Sequence, residues 1–168
     1  MLSARQLIGR WASPAPETIR NADGSVIYGQ REFVFTEKAW ALHFQAFGDA
    51  AATFQLFGLR LEGTYTLGGP SAAVPSAQEA EFFFTGRHVT AYAPMLDMFK
   101  NVTTGIEWQA GVEQDVSATG ALFIPSVANA PVEHDLVQLE NGQLRLGDRS
   151  GDLTKARPQT LGEPLARR

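Results

Sequence analysis

From Phe57 onward the chain alternates for eleven residues. Phe57, Leu59, Leu61, Gly63, Tyr65 and Leu67 occupy the odd positions, and Arg60, Glu62, Thr64 and Thr66 the even ones. Side chains of a strand point to opposite faces with a period of two, so this stretch is a long strand with one apolar and one wet face. The same rhythm precedes it: Trp40, Leu42, Phe44 and Ala46 alternate with His43 and Gln45 and run into a Gly48-Asp49 turn. Glu32–Thr36 supplies another strand, entered from the turn Ala22-Asp23-Gly24-Ser25. Gln78–Thr85 is a further one, broken at Gly86-Arg87 and resumed from His88 to Tyr92. Near the end, Val132–Leu139 and Gln143–Gly147 flank Asn141-Gly142, a pair suited to the two positive-φ positions of a type I′ hairpin. Pairing Leu139 with Leu144 and Val137 with Leu146 puts all four on one face, with His134, Leu136, Gln138 and Arg145 on the other, which gives an apolar inside and a mostly polar, wet outside.

One segment reads as helix: Pro94 at the first position, then Met95, Leu96, Met98, Phe99 and Val102 at three- and four-residue spacing. It is either a lid over one end of the fold or a helix packed on its wall. Residues 69–77 read as a loop, and Ser150–Arg168 as a final short strand and a polar tail. Many strands, short turns, one small helix and no βαβ rhythm predict an antiparallel all-β domain over residues 1–160, with 161–168 as the tail. The long strands favour a closed barrel over a sandwich; barrels of about eight strands are filled by side chains or hold one small ligand.

Composition narrows the function classes. The chain has 168 residues, 14 Lys or Arg against 18 Asp or Glu, and no basic cluster, which argues against a nucleic-acid partner. With no cysteine, disulfides, thiolate metal sites and cysteine nucleophiles are excluded. No apolar run approaches the ~18 residues of a membrane-spanning helix, and the first sixteen residues lack the apolar centre of a secretory signal. A cytoplasmic protein is the expectation, and no cofactor motif is present. Gly68-Gly69-Pro70 lacks the following helix and the Lys-Ser/Thr of a phosphate loop.

Several stretches resemble a known family. Gly9-x-Trp11 resembles the opening of calycin barrels (lipocalins and their relatives), where Gly-x-Trp seals one end and a late arginine stacks on the indole; Arg157 is placed for that second part. The chain is also similar to the adenomatosis polyposis coli down-regulated family, whose domain has a calycin-like barrel form. The carrying residues are Phe47-Gly48-Asp49, Leu61-Glu62-Gly63-Thr64-Tyr65-Thr66-Leu67-Gly68-Gly69, Val89-Thr90-Ala91-Tyr92, Trp108-Gln109-Ala110-Gly111 with Gln114-Asp115-Val116-Ser117, and His134-Asp135-Leu136-Val137 with Leu144-Arg145-Leu146-Gly147-Asp148-Arg149. The resemblance implies a concave apolar interior able to accommodate a lipid chain. Animal members are extracellular, membrane-anchored Wnt antagonists with paired cysteines. This chain lacks the cysteines, the anchor and the duplicated domain, so the Wnt role is not carried over.

The inward apolar set expected from alternation is Trp40, Leu42, Phe44, Phe57, Leu59, Leu61, Tyr65, Phe82, Phe84, Val137, Leu139, Leu144 and Leu146. Either these side chains fill a core, or they line a cavity for a small hydrophobic molecule such as a fatty acid, polyketide or terpenoid. In the second case Trp40, Phe44, Phe57, Leu59, Leu61, Tyr65, Phe82, Phe84, Trp108, Val137 and Leu139 are the expected ligand contacts. Tyr65 and Trp108, which need hydrogen-bond partners when buried, would orient the ligand's polar end.

An enzyme of a different kind, a barrel-enclosed cyclase or isomerase acting on an apolar intermediate, would show itself by an inward polar pair within ~4 Å. Other candidates are weaker. His43, His88 and His134 are scattered, with His43 and His134 on outward faces, and imply no metal site. Glu79 and Glu81 share one face about 7 Å apart, the spacing of a carboxylate pair, but Ala80, Phe82 and Phe84 claim the inner face. Asp135 and Asp148 extend the hairpin's apolar face, where they either pair with Arg149 or Arg157 or act as an acid or base at the barrel mouth.

Overall fold

The computed structural model describes residues 1–168. A single helical turn, α1 (Ala4–Leu7), leads into β1 (Gly9–Ala12), β2 (Glu17–Arg20), β3 (Val26–Phe35), β4 (Ala39–Phe47), β5 (Gln55–Pro70) and β6 (Gln78–Ala91). A 3-10 turn and α2 (Leu96–Val102) follow, then β7 (Glu113–Asp115), β8 (Val132–Glu140), β9 (Gln143–Leu146) and β10 (Leu165–Arg167). All ten strands belong to one antiparallel sheet, in the order β1-β10-β9-β8-β6-β5-β4-β3-β2, with β7 on β6. A further pairing of β1 with β3 closes the path into a ring, leaving only β2 and β7 outside it. No helix is long and apolar enough to cross a membrane.

The strands follow the alternation. Trp40, Leu42, Phe44 and Ala46 sit opposite Gly63, Leu61, Leu59 and Phe57, which in turn face Phe84, Arg87, Val89 and Ala91 across β6. Directly opposed residues share a face, so these rows line the inside of the ring. β6 is one continuous strand, where the sequence predicts two. The Gly86-Arg87 break is a register shift opposite Glu62 and Gly63, which bends the strand without ending it. The hairpin has the predicted register, Val137 with Leu146 and Leu139 with Leu144, and its turn residues Asn141 and Gly142 have φ of 52° and 74°.

Three expectations are corrected. Residues 161–168 are not a free tail: β10 lies between β1 and β9, and Leu165 is fully buried. An eight-residue stretch offers too little alternation to declare a three-residue strand. The outer face of the hairpin is not all wet, because Leu136 and Gln138 are buried. The 153–162 segment runs back over this region, with the amide of His134 bonded to Leu153 O and that of Asp148 to Thr160 O. Finally, Arg157 is not the arginine over Trp11. It donates to Ala80 O and Asp135 O and pairs with Glu81, while Arg167, in the strand next to β1, stacks on the indole at 4.4 Å.

The ring closes fully at only one end. There β1 pairs with Glu32–Phe35 of β3 and β8 pairs with Gln78–Phe83 of β6, and a cluster including Trp11, Phe33, Phe35, Trp40, Phe82 and Leu144 fills the interior. At the other end the wall consists of β2 to β7 alone, so the sheet is a trough. Phe99 from α2 and Trp108, Val116, Ala121 and Ile124 after it roof this trough by packing on Ala46, Phe57, Val89 and Ala91. The helix thus packs over the trough through Phe99.

Candidate functional site

Between the two packed ends lies a belt of inward side chains that is not fully covered. Leu42 and Phe44 on β4 and Leu59 and Leu61 on β5 point into the ring by register, yet each is only half-buried. The sheet covers one side of them, so their remaining accessible surface faces the interior. Leu42 and Leu61 border the filled end, and Phe44 and Leu59 the roofed end. Leu139 on β8 is also inward and half-buried.

The other expected contacts divide differently. Trp40, Tyr65, Phe82, Phe84 and Val137 are each at most 7% exposed and pack mainly on one another; the Trp40 and Phe84 rings, for example, meet edge-on at 5.1 Å. Phe57 and Trp108 belong to the roofed cluster. The polar ends of the two proposed orienting residues also part company. Tyr65 donates its hydroxyl to Thr36 O at 2.8 Å, while the buried indole N–H of Trp108 has no partner. An unpaired buried donor is costly, so Trp108 retains hydrogen-bonding capacity that the fold does not use.

Polar residues border the belt. On β3, Arg31 shares the inward row of Phe44 and Leu59 and holds Glu17 of β2 by two parallel bonds of 2.8 and 2.9 Å. Both side chains are less than a fifth exposed. Arg31 lies just before the strand expected at Glu32–Thr36, and its odd position, in phase with Phe33 and Phe35, is the signal that marks it as inward. On β8, Glu133 lies opposite Phe82 and pairs with Arg149, whose other nitrogen is 3.5 Å from the buried carboxylate of Asp135. Burial pushes the Asp135 carboxyl up to about 6, against the pull of Arg149 and of the Leu136 and Gly147 amides. Asp148, expected beside it, is in the turn that follows, where it accepts from the Ser150 amide. On β6, Arg87 is 3% exposed, lies 3.9 Å over the Phe84 ring, and donates to Ser126 O and Ala130 O at 3.0 and 2.7 Å.

Two open clefts flank the 119–130 loop. One, of about 510 Å³, includes Thr103, Thr119, Ser126 and Asn129; the other, of about 550 Å³, includes Phe123, Glu133, Arg149 and Leu153. None of the eleven expected ligand contacts lines either cleft. The second nevertheless reaches the trough through Phe123, whose ring is 5.1 Å from Phe57 and 6.2 Å from Phe99 while remaining 54% exposed. The sequence reading passed over Phe123 because its neighbours, Leu122 (φ 51°) and Gly120 (φ 67°), belong to an irregular loop without periodicity.

The outer face carries the remaining candidates. Glu32, His43, Arg60, His88 and Asp115 form one cross-strand row from β3 to β7. Glu79 and Glu81 are held by Arg157, and Glu81 also meets His134. His43 and His88 share that cross-strand row with Arg60 between them, His134 lies apart on β8, and no group of three metal-binding side chains converges. A scan of the chain against protein-family models finds no match.

Proposed function

We propose that the protein binds a small hydrophobic or acyl-chain ligand inside its ring of strands and performs no chemistry on it. The observation that carries this reading is the half-buried inward belt of Leu42, Phe44, Leu59 and Leu61 between two fully packed clusters. Apolar side chains left partly uncovered in an otherwise close-packed interior gain by burying that surface against an apolar guest, at about 25 cal/mol per Å². Phe123 supplies the route, since it borders both the trough and an open cleft. The closed order of strands and the resemblance to the adenomatosis polyposis coli down-regulated family support the same reading, with the ring taken as a calycin-like barrel.

Titration of the full chain with a fluorescent fatty acid tests it. The expected result is saturable binding at one site per chain. No binding of any apolar probe would overturn the proposal.

The Arg31–Glu17 pair supports a second reading, a cyclase or isomerase with an inward polar pair. Each partner already neutralises the other through a bidentate contact, which suits a structural pair better than a proton donor or acceptor. Turnover of an apolar substrate lost in Glu17→Gln with the fold retained would favour this reading over simple binding.

A further inference from the structure

Arg31 and Arg87 lie on the inward rows, Arg149 reaches the inward Glu133 and Asp135 from the exposed turn after β9, and the three differ in their partners. Arg31 has Glu17, and Arg149 has Glu133 and Asp135. Arg87 has no carboxylate within ion-pair distance, although it is the most buried of the three. Its stacking on Phe84 and its two bonds to the Ser126 and Ala130 carbonyls occupy one face of the guanidinium plane and two of its N–H groups. A guanidinium offers five N–H donors in a planar fork suited to a carboxylate, so donors remain. A buried charge without a counter-charge is strongly unfavourable and is the kind of group that an anionic ligand stabilises. Glu133, whose charge acts on it, is already engaged by Arg149.

Its place in the fold gives that charge a use. Arg87 is directly opposite Leu61 across the β5–β6 pairing, and Leu61 is one of the four inward side chains with uncovered surface. Residues so opposed have Cβ atoms about 5 Å apart. The Arg87 side chain therefore leaves the sheet beside the apolar belt, and its unpaired guanidinium extends from there over the Phe84 ring to the 126–130 loop.

We propose that Arg87 receives the carboxylate of the ligand, so that the ligand is a long-chain carboxylic acid and not a neutral lipid. This rests on the interior-binding reading above and narrows it to one substrate class. The hydrocarbon chain lies along Leu61, Leu59 and Phe44, with its charged end toward β6.

The test compares two probes on the full chain, 11-(dansylamino)undecanoic acid and its methyl ester, by fluorescence titration. The wild type is expected to bind the acid at least about tenfold more tightly than the ester, the ratio of a single charge-assisted contact. Arg87→Met should bring the two probes to equal affinity with the ester unchanged, and Arg145→Met, on the outer face, should keep the preference. If the Met variant fails to fold, Arg87→Gln, which retains N–H donors for the two carbonyls, gives the same readout. Equal binding of acid and ester by the wild type, or a preference that persists in the Arg87 variants, overturns the assignment to Arg87 and leaves interior binding standing. No saturable binding of either probe overturns interior binding itself.

Discussion

The guanidinium of Arg167 lies over the indole of Trp11, 4.4 Å from its centroid, and joins the two ends of the chain. The contact is anchored on both sides. Trp11 donates its indole N–H to Leu7 O at 2.8 Å, and Arg167 donates to Ile8 O and Gln6 O. Gly9 makes room: a Cβ there would come within 3.0 Å of the Arg167 guanidinium, and its φ of 127° is disfavoured for any side chain. The Gly-x-Trp element and the last strand therefore form one closure.

Replacing Trp11, which is 1% exposed, by Ala is expected to destabilise the protein by about 3–5 kcal/mol, the usual cost of truncating a buried aromatic ring. Arg167→Ala should cost much less, about 1 kcal/mol, because its charge is in contact with solvent. Arg157→Ala should leave the Trp11 indole resonance in place. Urea unfolding and the indole N–H shift measure the three; an Arg157 variant that moves that resonance would refute the placement of Arg167.

A second constraint lies at the bulge. A Cβ on Gly63 would sit 1.6 Å from the Phe83 carbonyl oxygen, on rigid backbone, beneath the Trp40 indole that donates to Thr64 O and Phe83 O. Gly63→Ala is expected to cost more than about 3 kcal/mol or to abolish folding. Gly69→Ala, with open space around the added methyl, should change the unfolding midpoint little. Equal effects of the two substitutions would contradict the bulge geometry.

The inward faces were legible because strand side chains obey a strict period of two. Each of the thirteen expected residues, from Trp40 to Leu146, is on the inner face by register. Burial along that face was not legible, since alternation says which way Leu59 and Trp40 point but not that Trp40 is covered while Leu59 is only half-covered. Trp40 is covered by Phe33, Phe82 and Phe84 of the filled end, whereas cover near Leu59 comes from Phe99, Trp108 and Ile124, 40 to 65 residues away in sequence and outside the sheet. Arg87 escaped for a related reason. It falls at the apparent Gly86-Arg87 break, and only the register shift reveals it as inward.

If the space beside Leu59 is where a guest lies, filling it should exclude the guest without harming the fold. Leu59→Trp is expected to weaken binding of a fluorescent fatty acid by at least about tenfold, with a loss of stability below about 1.5 kcal/mol. The same substitution at Phe82, in the packed cluster, should destabilise by more, about 1–3 kcal/mol, through overpacking. Thermal unfolding and titration of both variants measure this. Unimpaired binding by a folded Leu59→Trp variant would place the guest elsewhere.

The buried Asp135 sets a pH dependence of unusual sign. Its carboxyl is raised from 3.8 to about 6 in the folded protein, chiefly by burial. Between about pH 4 and pH 6 the folded state therefore retains a proton that the unfolded chain has released. Stability from this group is full below pH 4 and falls as the pH rises through that window, by about 3 kcal/mol for a shift of roughly two units. Asp135→Asn keeps an oxygen to accept from the Leu136 and Gly147 amides but has no proton to lose. The variant should thus gain on the wild type as the pH rises from 4 to 7, and the gap should be constant above that. Urea unfolding of both proteins at half-unit intervals measures the difference directly, cancelling the exposed carboxylates common to the two. Parallel curves from pH 4 to pH 7 would show that Asp135 is ionised throughout, held by Arg149 despite its burial.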